Sequence, residues 1–240
     1  MSISTRRVRA IVRKELREYR RNRSVVATMA IFPLIFLIQP LVVVLRAPES
    51  SAAALGQMHV LLYMLAIPVL VPASVAASAV AGERLQGSLE PALTTPIRRE
   101  EFLLGKALAA LVPSVGIAYV VYAIFLAGAA AFGQPAVTAA ILQAPDILAQ
   151  LLLTPLLALV SIWIGIGIST RSSDVRVAQQ LSLLGCLPLV ALTSLIAFDV
   201  IHATLGLALG LGAGLLLADA AGWRIVAPMF DRERLVTGAR

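Results

Sequence analysis

The chain has 240 residues, of which 59% are hydrophobic and 14% are charged, and its mean hydropathy is +0.90. Soluble domains are about 45–50% apolar and about 25% charged, so this composition excludes an ordinary soluble globular protein. The formal net charge of +7 does not indicate nucleic-acid binding, because nearly all of the charges flank long apolar segments. The single cysteine, Cys186, lies inside an apolar segment, which excludes a disulfide framework or a thiolate metal cluster.

The first predicted element is an amphipathic helix within residues 1–23. Its apolar residues recur at spacings of three and four and therefore share one helical face: Val8, Ile11, Val12, Leu16 and Tyr19. Basic residues occupy most of the other positions. We expect this helix to lie flat in the cytoplasmic interface, with its apolar stripe among the acyl chains and its arginines near anionic lipid. The alternative is a solvated tail whose charges only set the topology.

Six long apolar segments follow. A helix needs about 20 mostly apolar residues to cross about 30 Å of hydrocarbon. The six segments are residues 24–45, 58–81, 107–132, 147–169, 177–198 and 203–221. The first five contain no charged residue, and Asp219 in the sixth is close enough to its end that we expect it to reach the interface. The predicted fold class is therefore all-α, with a six-helix transmembrane domain over residues 24–221 and a tail over residues 222–240.

The basic residues predict the orientation. Of the 20 Lys and Arg residues, all except Arg46 fall on one side of the six segments. Cytoplasmic loops carry the excess of Lys and Arg, so we expect that side, with both termini, to be cytoplasmic.

The longest predicted cytoplasmic loop covers residues 82–106, between the second and third spans. It is too short to have a core of its own, so it must act against the spans or against another protein. Thr95 and Pro96 are typical of a helix N-cap and first helical position, and Glu100 and Glu101 suit the positive end of the helix dipole. These residues predict a helix that begins near Pro96 and continues into the third span.

This loop and the start of the next span carry a recognisable pattern, formed by Glu83, Gly87, Ser88, Leu89, Glu90, Leu93, Thr95, Pro96, Ile97, Arg98, Leu104, Gly105 and Lys106. The pattern resembles the signature loop of ABC type-2 export permeases. Ser88 replaces the usual Thr, Ala92 replaces a Leu, and Pro91 is unusual. The tail residues 230–235 also resemble the end of that family's members, and the six spans match over nearly the whole length.

The resemblance implies a function. Such permeases form a substrate pathway as a homodimer or with a paralogue, in the bacterial cytoplasmic (inner) membrane, and a separate ABC ATPase subunit drives them through this loop. The residues implied in ATPase coupling are Glu83, Gly87, Leu89, Glu90, Leu93, Thr94, Thr95 and Pro96. ATP and magnesium belong on the partner, and no cofactor, metal or nucleic acid is expected for this chain.

Other functions fit the sequence less well. A P-loop needs G-x(4)-G-K-[ST], but the only Gly-Lys pair, at residues 105–106, has Glu100 in place of the first Gly and Ala107 in place of Ser or Thr. An intramembrane protease would need a serine turn and a histidine at membrane depth, and His59 and His202 both lie at outer span ends without a third metal ligand. The remaining alternative is an ion-coupled secondary transporter, which usually has an ionisable residue at mid-membrane.

Overall fold

The structure, a computed structural model, describes residues 4–85, 98–202 and 204–230. All regular elements in these ranges are helices. They are α1 (Thr5–Arg21), α2 (Arg23–Arg46), α3 (Ala52–Gln57), α4 (Val60–Tyr63), α5 (Ile67–Leu85), α6 (Arg99–Phe132), α7 (Pro135–Ile141), α8 (Ala144–Ser169), α9 (Val175–Ala197) and α10 (Leu205–Val226). Single turns of 3₁₀-helix cover Glu49–Ser51, Met64–Ala66 and Ala227–Phe230.

Six helical segments are long and apolar enough to cross a membrane, which confirms the predicted fold class. They are Val25–Arg46, Val60–Glu83, Arg99–Phe132, Ala144–Ser169, Val175–Ala197 and Gly206–Met229. The second is assembled from α4, the turn Met64–Ala66 and α5. The location of the two termini on the cytoplasmic side stays a prediction.

The second span forms the centre of the bundle. Within its apolar window 89% is buried, against 6% for the sixth span. Its helix α5 approaches α8 closely, because Gly165 lacks a side chain where a Cβ would lie 2.6 Å from the carbonyl oxygen of Ala73. The Ser169 hydroxyl donates to the Ala77 carbonyl and accepts the N–H of Ala81 at 3.0 Å. Small residues and hydroxyl hydrogen bonds of this kind stabilise helix pairs inside membranes, where the hydrophobic effect between helices is weak.

Helix α6 begins at Arg99, later than the predicted start near Pro96. Its N-cap, Arg98, has extended backbone angles, and the Glu101 carboxylate accepts the Arg98 N–H at 3.3 Å. Pro96 and Thr95 lie outside the described residues. The helix then continues through residues 99–106 and into the third span, as predicted. Helix α10 extends to Val226, beyond the predicted end of the sixth span.

The connections predicted to be the outer loops contain more structure than the sequence indicated. Helices α3 and α7 lie in the connections after the first and third spans and pack on each other. A Cβ on Gly56 would lie 3.4 Å from the Ala140 Cβ, and the Gln143 side-chain amide donates to the Gly56 carbonyl at 2.8 Å. Together α3 and α7 form a small cap at this end of the bundle, which we call the outer cap.

Helix α1 exists as predicted, but protein covers its apolar stripe. Val8, Ile11 and Tyr19 are buried, and Val12 and Leu16 pack against the same core cluster. The expectation that this stripe lies among acyl chains is therefore wrong. The stripe packs against the protein core, with Ile11 against Gly105 of α6. The position of α1 at the membrane interface stays a prediction.

Candidate functional site

Four charged side chains meet where α1, α5 and α6 come together. Lys14 and Glu15 belong to α1, Glu83 to the last turn of α5, and Lys106 to α6. The Lys106 Nζ lies 3.0 Å from Glu15 Oε1 and 3.1 Å from Glu83 Oε2. The Lys14 Nζ donates to Glu83 Oε1 and lies 3.8 Å from Glu15 Oε1. We call these four residues the basal charge cluster.

Three of the four side chains are almost completely removed from solvent. The exposed fraction is 0% for Lys106, 2% for Glu15 and 3% for Glu83, whereas Lys14 remains 43% exposed. The formal charges of the cluster sum to zero. Buried charges need opposite charges beside them, because an unpaired charge in a low-dielectric interior costs several kcal/mol. The Phe102 ring adds a further contact, with its centroid 4.9 Å from the Lys106 ammonium.

Burial and the neighbouring charges shift the acid–base properties of α1. Burial raises the pKa of Glu15, and the opposite charge of Lys106 only partly counteracts that effect. For Lys14, burial acts to lower the pKa, but the hydrogen bond to Glu83 and the surrounding carboxylates together raise it. Burial and the same carboxylates hold the pKa of Tyr19 well above its usual range. The ionised state of Glu15 therefore depends on Lys106.

A second group of contacts holds the start of α1 to the start of α6. Glu101 is 1% exposed, and its carboxylate accepts the backbone N–H of Ser4 at 2.8 Å. The Arg7 guanidinium donates to the same carboxylate at 3.1 Å. Between these contacts and the basal charge cluster, Ile11 packs where Gly105 leaves room, since a Cβ on Gly105 would lie 2.6 Å from Ile11 Cγ2. Helix α1 is thus attached to α6 from its start to the middle of its length.

The cluster is adjacent to the loop that the sequence analysis singled out. Glu83 lies two residues before the end of α5, and Lys106 lies in the second turn of α6. Their ion pair joins the two helices that flank residues 86–97. Both helices that lead out of this loop are therefore held to each other and to α1 by buried charges.

Of the predicted coupling residues, the structure describes Glu83 and places it in this cluster. The other seven, Gly87, Leu89, Glu90, Leu93, Thr94, Thr95 and Pro96, lie outside the described residues, as does the tail motif after Phe230. Their contacts with an ATPase stay a prediction.

The sequence analysis missed Lys14, Glu15 and the burial of Lys106. A signal for Glu15 was present, because it lies at a spacing of four from both Ile11 and Tyr19 and so falls on the apolar face. Lys106 was counted only as a topology charge. Its partner Glu15 is 91 residues away, and no local pattern indicates such a pairing.

The two histidines lie in separate places and do not form a common metal site. His59 Nδ1 lies 2.9 Å from Asp146 Oδ1, and His202 Nδ1 lies 2.9 Å from Asp199 Oδ1. Among the described residues, no group of three or more His, Cys, Asp and Glu side chains is arranged to hold a metal ion. The His59–Asp146 pair instead connects the start of the second span to the start of the fourth, below the outer cap.

These features together define a polytopic α-helical membrane protein in which buried charges join the two helices that flank the loop after the second span. The family model described as ABC-2 family transporter protein matches residues 9–219. The chain therefore belongs to this family, as the resemblance predicted, and it is a multi-pass membrane permease subunit of an ABC transporter. No curated protein gives a significant match.

Proposed function

We propose that this chain forms the substrate pathway of an ATP-driven exporter, as a dimer, and that a separate ABC ATPase subunit drives it through the loop after the second span. ATP and Mg²⁺ would bind to that partner. Family membership supports the role in transport. The observation that supports the coupling route is the buried ion pair between Glu83 and Lys106, because these residues flank the loop on both sides.

The basal charge cluster would make α1 and the two loop-flanking helices move together. Lys106 forms ion pairs with Glu15 of α1 and with Glu83 of α5. Separating either ion pair would leave a buried charge without its partner. A displacement of the loop by the ATPase is then shared by α5, the most buried span, and α6. Movement of α5 reaches the other spans because it is central, and it would switch the pathway between its two open states.

Within the loop, we propose Glu90 as a polar contact or internal brace. The other residues of the surface that the ATPase contacts would be Gly87, Leu89, Leu93, Thr94, Thr95 and Pro96. Glu83 has a different role in this proposal. It holds the loop to the bundle rather than touching the partner.

Affinity purification from native membranes tests the proposal. We expect an ABC ATPase to co-purify and the complex to hydrolyse ATP in nanodiscs. Gly87→Pro and Glu90→Ala should lower that hydrolysis severalfold while the chain still inserts, and Glu49→Ala, an exposed acidic residue beyond the first span, should not. Isolation of the chain without an ATPase, or normal hydrolysis in both loop variants, would refute the coupling model.

A further inference from the structure

The fourth span contains a proline near its middle. Pro155 has no N–H and therefore cannot donate to the carbonyl four residues earlier in α8, which is that of Leu151. Leu151 lies about 10 Å along the helix from its start at Ala144. Its carbonyl is therefore at membrane depth, where no water is available to bind it. Another donor has to replace the missing N–H.

Tyr119 of α6 supplies that donor. Its hydroxyl donates to the Leu151 carbonyl at 2.8 Å. Tyr122, one turn later on α6, provides a contrast, because its hydroxyl is buried and makes no hydrogen bond within the described part of the chain. At Pro155 the backbone of α8 thus lacks one of its own hydrogen bonds and has in its place a bond to a different helix.

A second feature weakens α8 at the same level. The Thr154 hydroxyl donates to the carbonyl of Gln150, four residues earlier. Hydroxyl bonds of this kind often bend a helix, and prolines are a main cause of sharp helix kinks. Residues 150–155 are therefore the place where α8 bends most easily. We call residues 144–154 the outer half of α8 and residues 155–169 its inner half.

The two halves are held differently. In the inner half, Gly165 allows close contact with α5, and the Ser169 hydroxyl forms two hydrogen bonds to that helix. In the outer half, Leu148, Leu151 and Leu152 are 57%, 44% and 67% exposed. No described part of this chain covers that side of the outer half, which leaves it room to move while the inner half stays on α5.

Movement of the outer half would also move the outer cap. Helix α7, one of the two helices of the cap, ends at Ile141, and α8 begins at Ala144. Asp146, in the first turn of the outer half, pairs with His59 beside the start of the second span. A bend at residues 150–155 would therefore separate α7 from α3 and Asp146 from His59, and it would open the bundle at this end.

We propose that Pro155 is a joint between a fixed inner half and a movable outer half of α8. The hydrogen bond from Tyr119 to the Leu151 carbonyl holds the outer half in the observed position. When this bond breaks, the outer half moves away from α6. The joint belongs to the single chain and requires neither an ATPase nor a second copy. It therefore stands or falls separately from the ATP-coupling proposal.

Distances between spin labels on the full-length chain in nanodiscs test this proposal. The outer pair is Ile124→Cys with Leu148→Cys, at exposed positions of α6 and of the outer half. The inner pair is Val112→Cys with Arg171→Cys, at exposed positions of α6 and just after the inner half. The native Cys186 is buried and should not be labelled. Double electron–electron resonance gives the distribution of distances for each pair.

Tyr119→Phe removes only the hydroxyl. It should raise the displaced fraction of the outer pair about threefold, as for an average hydrogen bond between helices in a membrane, and leave the inner pair unchanged. Pro155→Ala restores an N–H for the Leu151 carbonyl, so it should lower the displaced fraction, and Tyr119→Phe added to it should have no further effect. Tyr122→Phe, the matched control, should behave like the unmodified chain. Circular dichroism of each variant confirms that it is folded.

Four results would overturn the proposal. The first is an outer pair whose distances are the same in Tyr119→Phe and in the unmodified chain. The second is an equal change in the inner pair, which would mean a general loosening of the bundle instead of a joint. The third is a displaced fraction that Tyr119→Phe raises as much with Pro155→Ala as without it. The fourth is an effect of Tyr122→Phe as large as that of Tyr119→Phe.

Discussion

Lys106 shows how strongly one residue of this protein depends on its surroundings. Its ammonium is fully buried and pairs with Glu15 and Glu83, which belong to different helices. Removal of one member of a buried ion pair costs about 3–5 kcal/mol, because the charge that remains has lost its partner. Lys14 cannot replace Lys106 in this role, because it reaches the cluster from a half-exposed position and already pairs with Glu83 and Glu18.

We therefore expect Lys106→Met to lower the free energy of unfolding by about 3–5 kcal/mol at neutral pH. Lys14→Gln, which changes a half-exposed lysine of the same cluster, should have a much smaller effect. The double variant Lys106→Met with Glu15→Gln should recover part of the loss, because it also removes a carboxylate. Thermal unfolding of the purified chain in detergent measures all three, and equal melting temperatures for Lys106→Met and Lys14→Gln would contradict the assigned roles.

The same argument predicts a pH dependence for Lys106→Met. Without Lys106, burial raises the pKa of Glu15 with less opposition, so the folded state favours the protonated acid. A raised pKa contributes stability that is complete below the unfolded-state value, near 4.5, and is lost as the pH rises through the folded-state value. The loss in free energy of unfolding caused by Lys106→Met, relative to the unmodified chain, should therefore be smallest at pH 5 and grow towards pH 8. Melting temperatures of both chains at several pH values measure this loss of stability. A loss that is constant or becomes smaller over this range would contradict the prediction.

At the scale of elements, hydropathy predicted the number and order of the six spans, because a helix that crosses a bilayer must be apolar for about 20 residues. The capping signals predicted a helix that continues from the loop into the third span, and α6 does continue through residues 99–106. They did not predict that α1 supplies partners for Glu101 and Lys106. Hydropathy also assigned the stripe of α1 to lipid. In both cases the determining contact joins segments that are far apart in the sequence, and a local pattern contains no information about it.

Gly105 and Gly116 on the same helix provide a test of how α1 is attached. An added methyl group at Gly105 would overlap Ile11, whereas at Gly116 no described atom lies within 4 Å of the new Cβ. Alanine is intrinsically about 1 kcal/mol better than glycine inside a helix. Gly116→Ala should therefore be neutral or stabilising, and Gly105→Ala should be destabilising by about 1–3 kcal/mol through overpacking.

Limited digestion with trypsin measures this attachment, because α1 is rich in arginine and trypsin cleaves after exposed arginines. We expect faster cleavage in α1 for Gly105→Ala than for Gly116→Ala. Ile11→Ala combined with Gly105→Ala should slow the cleavage again, since the shorter side chain leaves room for the methyl group. Equal cleavage rates in the two glycine variants would show that α1 does not depend on this contact.

At the scale of the whole molecule, the two ends of the bundle are held by different chemistry. Buried ion pairs hold α1, α5 and α6 at one end. At the other, the outer cap is held by small residues, the Gln143 amide and the His59–Asp146 pair. If the basal end moves as one unit, the opposite end must open for a substrate to leave on that side. We expect the outer cap, formed by two short helices of six and seven residues, to separate in that step.

A disulfide across the outer cap tests this expectation. The Cβ position of Gly56 lies 3.4 Å from the Ala140 Cβ, close to the separation of about 3.5–4.5 Å found in disulfides. Gly56→Cys with Ala140→Cys should therefore form a bond on oxidation, and the native Cys186 is buried and should not compete. We expect the oxidised variant, in nanodiscs with its co-purified ATPase, to hydrolyse ATP at least about fivefold more slowly, in line with a coupling of 1 kcal/mol or more. Reduction should restore the rate, and Gly56→Cys alone should be unaffected. Unchanged hydrolysis after mass spectrometry has confirmed the disulfide would mean that α3 and α7 stay together throughout the transport cycle.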